Sequence, residues 1–328
     1  GQGSIGGKAR GLAFLDSMLK RNRMIDRWPG VLLIIPRTVV LGTDIFDEFL
    51  ELNNLYQVAI SGIPDEELLQ RFVEAKLPEK LLNDLKTFIT VVKKPIAVRS
   101  SSMLEDSYYQ PFAGIYATYM VPNYPDDATQ TLCNLSIAIK SVYASAFYSE
   151  SKAYMKSTTH VIDEEKMAIV LQEVAGTAFN DRFYPSISGV ARSINFYPVE
   201  PELSTDGTAN IALGLGKYIV DGGLSLRFSP KYPKKVLQLS NPQMALKETQ
   251  NHFYALDLKP GSFIVSIDDG CNLLKLDIKD AEKDKSLKHI VSTFDFENQS
   301  IKDGMLAEGK RIISFSNILN HNVVPMAD

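Results

Sequence analysis

The chain has 328 residues, 45% of them hydrophobic and 23% charged, the make-up of an ordinary soluble globular protein with core enough for two domains or one large bilobal one. A formal net charge of -4 gives no footprint for nucleic acid, although a local basic cleft could hide in that sum. The longest apolar run, 31–35, is far too short to span a bilayer, no secretory leader pattern opens the chain, and two distant cysteines, Cys133 and Cys271, argue against a thiolate zinc site or disulfide framework and fit a reducing cytosol.

Residues 1–8, GQGSIGGK, form a glycine-rich opening to a helix on which Leu12, Leu15 and Leu19 recur at helical spacing. It is no Walker A loop, because Gln2 and Ala9 stand where that motif needs Gly and Ser or Thr. Glycines leading into a helix N-terminus still offer N–H groups and a favourable dipole to an anion. By its residues alone, Lys8 on that turn reads as a solvated first-turn lysine. Residues 31–41, VLLIIPRTVVL, predict a buried strand pair interrupted at Pro36. Three scaffold helices follow: 43–51 with Phe46, Phe49 and Leu50 inward, one opening on the acidic turn 64–67, and 78–92 with Leu81, Leu85, Phe88 and Ile89.

The stretch 96–119, IAVRSSSMLEDSYYQPFAGIYATY, carries the densest chemistry. A short apolar strand delivers Arg99 and three hydroxyls, Ser100, Ser101 and Ser102; Glu105 and Asp106 follow, and then a loop on Phe112-Ala113-Gly114 ahead of a second strand bearing Thr118. The fixed fork of an arginine matches phosphate oxygens two at a time, and glycine lets backbone approach a polyanion closely. The same residues also compose a surface turn with an Arg–Glu pair, so composition and spacing leave both readings open.

Residues 125–127 cap a long helix with Leu132, Leu135, Ile139, Val142 and Phe147 as its apolar stripe and Lys140 and Glu150 outside. Residues 167–174, MAIVLQEV, predict a nearly apolar strand ending in a polar pair, with Gln172 as an ordinary edge-strand residue. Ser188-Gly189-Val190 opens a further strand, and Asn210–Gly223 contains a Gly-Leu-Gly turn, Lys217 and a strand ending in glycine. From 234 onward the pattern predicts strands at 253–258, 263–267, 273–278, 289–294 and 311–315, with turns at Asp268-Asp269-Gly270 and Lys302-Asp303-Gly304.

Taken together, Gly-Gly-Lys at Lys8, Ala-Val-Arg-Ser-Ser then Glu-Asp, Phe-Ala-Gly with Thr118 four residues on, the Gln172 strand and the Gly-Leu-Gly turn resemble the nucleotide-binding domain of the pyruvate phosphate dikinase and phosphoenolpyruvate synthase family over residues 5–233. The resemblance implies an α+β ATP-grasp fold, with ATP in a cleft between two lobes. It divides the chain into a first region 1–165 with the phosphate segment, a second lobe 166–233 with the adenine hinge, and a β-rich extension 234–328. It implies further that Lys8 and Arg99 neutralise the transferring phosphates, that Ser100, Ser101 and Thr118 supply hydroxyl donors, and that Phe112-Ala113-Gly114 covers the phosphates. In the same way Gln172, Glu173 and Val174 hold adenine, and residues 104–112 form a lid.

In such enzymes ATP phosphorylates a histidine on a mobile domain, which passes the group to pyruvate. None of His160, His252, His289 and His321 stands in the Thr-Ser-His context of that histidine. The family's magnesium carboxylates lie in an Ile-Glu-Phe-like strand followed by Leu-Gln-Thr-Arg; Val236-Leu237-Gln238-Leu239 has no following Arg, so the Mg2+ ligands are expected downstream. A chain opening inside a glycine motif is accordingly expected to be a piece of a longer cytoplasmic phosphotransferase, with ATP and the phosphohistidine and pyruvate domains as partners and neither nucleic acid nor membrane. Alone it is expected to bind ATP weakly, with little magnesium dependence and no hydrolysis; were hydrolysis seen, Glu105 and Asp106 are the first carboxylates to examine. A dikinase-like enzyme with a non-pyruvate acceptor and a nucleotide-sensing pseudo-enzyme are the alternatives.

Overall fold

The computed structural model describes residues 3–102, 116–157, 166–267 and 272–327. Its backbone groups into two compact units, Gly1–Ala175 with Leu258–Asn272, and Gly176–Asp257 with Leu273–Asp328. This grouping differs from boundaries at 165 and 233: the strand at 168–173 pairs within the first unit's sheet, and residues beyond 234 supply strands to a sheet that residues 177–184 begin.

The first unit runs α1 (Gly6–Arg21), β1 (Thr38–Leu41), α2 (Thr43–Leu52), α3 (Tyr56–Ile60), α4 (Asp65–Glu74), α5 (Glu79–Val91), β2 (Ile96–Ser101), β3 (Thr118–Val121), α6 (Ala128–Ser145), α7 (Ser149–Ser157) and β4 (Ala168–Glu173). The four strands make one antiparallel sheet in the order β1-β4-β2-β3, so β4 is internal and Gln172 is no edge residue. Side chains alternate along β2. Ile96 and Val98 enter a core shared with Leu135, Ile139 and Val142 of α6, with Leu41 of β1 and with Ile169 and Leu171 of β4. Phe46, Phe49, Phe72, Tyr143 and Phe147 close that core with ring centroids 5.0–6.0 Å apart, Phe46 and Phe147 stacked and the other pairs tilted, contacts that add to simple area burial.

Two expectations in this unit change. Residues 31–37 form no strand and leave Leu32 73% and Ile34 59% exposed, because only 38–41 finds a ladder partner, at 169–172 of β4. Lys140 does not face outward: it is 9% exposed, and its ammonium donates to the carbonyls of Val73 and, at 3.2 Å, Ala75. These are orphan carbonyls at the end of α4, where a cation suits the helix dipole. Burial holds the Lys140 pKa below its ordinary value. The unfolded chain therefore binds the proton more tightly, and stability rises with pH between the folded pKa and the ordinary lysine value. Lys140→Met should cost about 1–3 kcal/mol, and the gap to wild type should widen as pH climbs into that alkaline window, read by urea unfolding.

The second unit contains β5 (Thr177–Phe179), β6 (Arg182–Tyr184), β7 (Ser188–Arg192), β8 (Thr208–Ala212), α8 (Lys217–Val220), β9 (Leu226–Phe228), α9 (Pro242–Glu248), β10 (His252–Asp257), β11 (Leu273–Asp277), α10 (Ile278–Lys283), β12 (Val291–Asp295), β13 (Ser300–Asp303), β14 (Lys310–Ile313) and α11 (Ser316–Leu319). Its sheets are ordered β11-β10-β6-β5, β7-β8-β9 and β13-β12-β14. Residues 218–220 are a helical turn where a strand was expected, and Lys217 pairs with Asp221 at 3.2 Å, one turn on. Residues 263–267 form no strand: Phe263 inserts into the first unit's core, and Tyr119 of β3 donates to the Ser266 carbonyl at 2.9 Å. Lys302 and Asp303 lie in β13, not in a turn. The reversal falls at 296–299, where the Asp295 carboxylate accepts from the Glu297 and Asn298 amides and from Lys302. Asp268, Asp269 and Gly270 lie outside the described residues.

Candidate functional site

Strand register decides which of the expected residues meet. Directly paired residues of an antiparallel ladder share a face. Arg99 pairs with Thr118 of β3 and Val170 of β4, and Ala97 pairs with Gln172, which pairs with Thr38. Arg99, Ser101, Thr118 and Gln172 therefore share the sheet face opposite the α6 core. Arg99 is half-buried there, and among the described residues its guanidinium forms no hydrogen bond or ion pair.

Helix α1 sits at the Ser101 end of the same face, held by backbone contacts. The Ser101 hydroxyl, fully buried, donates to the Ile5 carbonyl at 2.9 Å and accepts from the Ala9 amide at 3.2 Å. The Gly7 amide donates to the Ser102 carbonyl at 3.1 Å, and the Gly6 amide to the Ser4 hydroxyl at 3.4 Å. Gly6 has φ +70°, and a Cβ there would lie 1.8 Å from the Ser101 carbonyl oxygen, so both the backbone angle and the close approach demand glycine. Ser4 is tied to the start of α2, giving its carbonyl to the Thr43 amide at 3.0 Å and its amide to the Thr43 hydroxyl at 2.9 Å. Lys8, in the first turn of α1, is thereby carried on the helix that docks onto the end of the strand bearing Arg99.

This packing revises the anion cradle expected at the helix start: the amides of Gly6, Gly7 and Ala9 are all spent inside the protein. It is also the N-terminal turn, not an apolar stripe, that holds the helix. Only Gly6 and Ala9 of α1 are buried, and Leu15 is 51% exposed.

The remaining expected residues separate. Ser100 alternates to the opposite face and is buried at 1% exposure on the α6 side, away from Arg99. Glu173 pairs with Ile96 and shares that face. The backbone amides of Glu173 and Val174 donate to the carbonyls of Arg37 (2.9 Å) and Pro95 (2.8 Å), and the side-chain Nε2 of Gln172 donates to the Thr38 hydroxyl at 3.0 Å. Thr38 in turn donates to the Pro36 carbonyl at 2.8 Å. Phe112, Ala113 and Gly114, the lid 104–112, and Glu105 and Asp106 lie outside the described residues.

Thr38 and Ser4 went unremarked in the sequence. The alternation of β1 against β4 would have revealed Thr38 once the pairing was known; nothing local marks Ser4. Two cavities, of about 390 and 530 Å³, lie wholly within the second unit and contain none of the expected site residues.

Helix α1 with Lys8 is thus docked through glycine onto the strand that presents Arg99, with hydroxyl and amide side chains on one face. A family model of the pyruvate phosphate dikinase AMP/ATP-binding domain matches residues 2–259. The chain belongs to that family, and most of its length is an AMP/ATP-binding domain. No curated protein matches the chain in a direct comparison. No helix among the described residues is long and apolar enough to cross a membrane.

Proposed function

We propose that the chain is the ATP-grasp nucleotide-binding part of a phosphoenolpyruvate synthase-like or pyruvate phosphate dikinase-like phosphotransferase, which moves phosphate from ATP to a histidine on a mobile domain and on to pyruvate. The observation that carries the reading is the shared sheet face of Arg99 and Thr118 with α1 and its Lys8 docked alongside, within a chain whose family binds AMP or ATP. Lys8 and Arg99 neutralise the phosphates, the task that dominates phosphoryl transfer, and Thr118 adds a hydroxyl donor. Phe112, Ala113 and Gly114 cover the phosphates.

For adenine, the strand end at Gln172, Glu173 and Val174 works through acceptors. Its amides at 173 and 174 are committed to the carbonyls of Arg37 and Pro95, whereas a carbonyl oxygen has two lone pairs and can accept a hydrogen bond from adenine's exocyclic amine in addition to a strand bond. Mg2+ would add to the neutralisation of the phosphates; among the described residues no cluster of carboxylates and histidines could hold it.

Calorimetric titration with ATP, AMP and adenosine tests the reading. Weak binding that strengthens with phosphate number, little magnesium dependence and no hydrolysis by the isolated chain are the expected results. Equal affinities for all three ligands would remove the phosphate site, and magnesium-dependent turnover would require carboxylates within these residues. A non-pyruvate acceptor and a nucleotide-sensing role share this binding site; phosphohistidine formation by the whole protein separates the first from the second.

A further inference from the structure

We propose that Ser101 is a positioning residue: its hydroxyl sets the distance between Lys8 and Arg99 by clasping α1 to β2, and does not itself touch phosphate. The proposal rests on the nucleotide reading of Lys8 and Arg99, and it reassigns a hydroxyl that the sequence offers as a phosphate donor. Three observations carry it.

The Ser101 side chain is at 0% exposure and is used twice, as donor to the Ile5 carbonyl and as acceptor from the Ala9 amide, so a single Oγ holds both flanks of the turn that bears Lys8. The helix start has no side-chain cap of its own; residue 5, where a Ser, Thr, Asp or Asn would ordinarily stand, is Ile5. The cap is supplied across 92 residues of sequence by the strand that carries Arg99 two positions earlier. Lastly, Gly6 closes the gap from the helix side, with its Cα turned so near the Ser101 carbonyl that no side chain fits between them. Serine on one element and glycine on the other thus fix one spacing. Two cations that must grip one polyphosphate gain from being held at a fixed separation before the ligand arrives, since ordering them then costs nothing on binding.

The test uses the 328-residue chain and its Ser101→Ala, Gly6→Ala, Lys8→Ala and Ser101→Ala/Lys8→Ala variants. Without nucleotide, hydrogen exchange in the first turn of α1 should quicken about five- to tenfold in Ser101→Ala, the size of one lost helix cap, with the rest of the unit unchanged. Gly6→Ala should quicken the same segment by pushing the helix off the strand. In calorimetry Ser101→Ala should bind ATP about five- to tenfold more weakly while adenosine is unaffected, and in the Lys8→Ala background the same change should cost nothing further.

Unchanged exchange at the helix start would overturn the clasp. Additive losses in the double variant would overturn positioning in favour of direct phosphate contact, and equal losses for ATP and adenosine would reduce Ser101 to general stability. If Lys8→Ala leaves ATP affinity intact, the nucleotide reading itself fails, and the exchange measurement still reports on the clasp.

Discussion

Arg99→Lys is expected to weaken ATP binding by about 10- to 150-fold while leaving adenosine affinity unchanged. The charge survives this substitution; the fork does not. A guanidinium places paired donors in one plane against two phosphate oxygens, and an ammonium grips as a point charge. The loss corresponds to one charge-assisted hydrogen bond, about 1.5–3 kcal/mol. Arg99 stands on β2, flanked by Thr118 and Val170, and among the described residues no carboxylate competes for it. Calorimetric titration of both proteins with both ligands decides the matter: equal losses for ATP and adenosine would show that Arg99 does not read phosphate.

The sequence made the elements legible wherever local pattern and tertiary packing agree. Helices α2, α4 and α5 fall where their apolar spacing places them, and Asp127 does accept from the Gln130 amide at the start of α6, which ends at Ser145, short of the expected Phe147 and Glu150. The pattern misleads where a segment's partner lies far away in sequence. Residues 31–35 have strand composition and no strand to pair with. Phe263 has strand neighbours, yet it is a plug in the core of its own unit, built largely from residues far earlier in the sequence. Lys140 looks solvated on a helical wheel because the wheel does not show the end of α4.

The site divides in the same way. Residue types named the chemistry, and the family resemblance named the residues. Only register could say that Ser100 and Ser101, adjacent in sequence, go to opposite faces, one into the α6 core and the other beneath α1. Likewise the glycines of the opening motif look like a phosphate loop from sequence. In the fold Gly6 serves a backbone-to-backbone contact, and the amides that a loop would offer to an anion are bonded to Ser4, Ser101 and Ser102.

The largest stability effect is expected in the second unit, at Glu202. Its side chain is 3% exposed and receives Arg227 through both terminal nitrogens, Nη2 to Oε2 at 2.6 Å and Nη1 to Oε1 at 3.3 Å. Asn195 at 2.8 Å and the Val199 amide at 3.1 Å complete the shell. Arg227 also holds the Tyr197 carbonyl at 3.2 Å, so one carboxylate organises the loop from 195 to 202 against β9. Glu202→Ala strips every one of these donors of its acceptor and should cost about 3–5 kcal/mol, the range for breaking a buried pair by removing one partner. Glu202→Gln keeps the shape without the charge and should fall between. The Arg227 hydrogen bond, aided by Val199 and Asn195 against the opposing effect of burial, holds the Glu202 pKa below its ordinary value. The unfolded chain then binds the proton more tightly. The stabilisation is fully present above the ordinary glutamate pKa and is lost as pH falls through the folded one. Urea unfolding followed by circular dichroism, at neutral pH and in steps into the acid range, should show the gap between wild type and Glu202→Gln closing on acidification. A gap that stays constant across that range would mean the carboxylate's charge contributes nothing, and that the loop is held by shape alone.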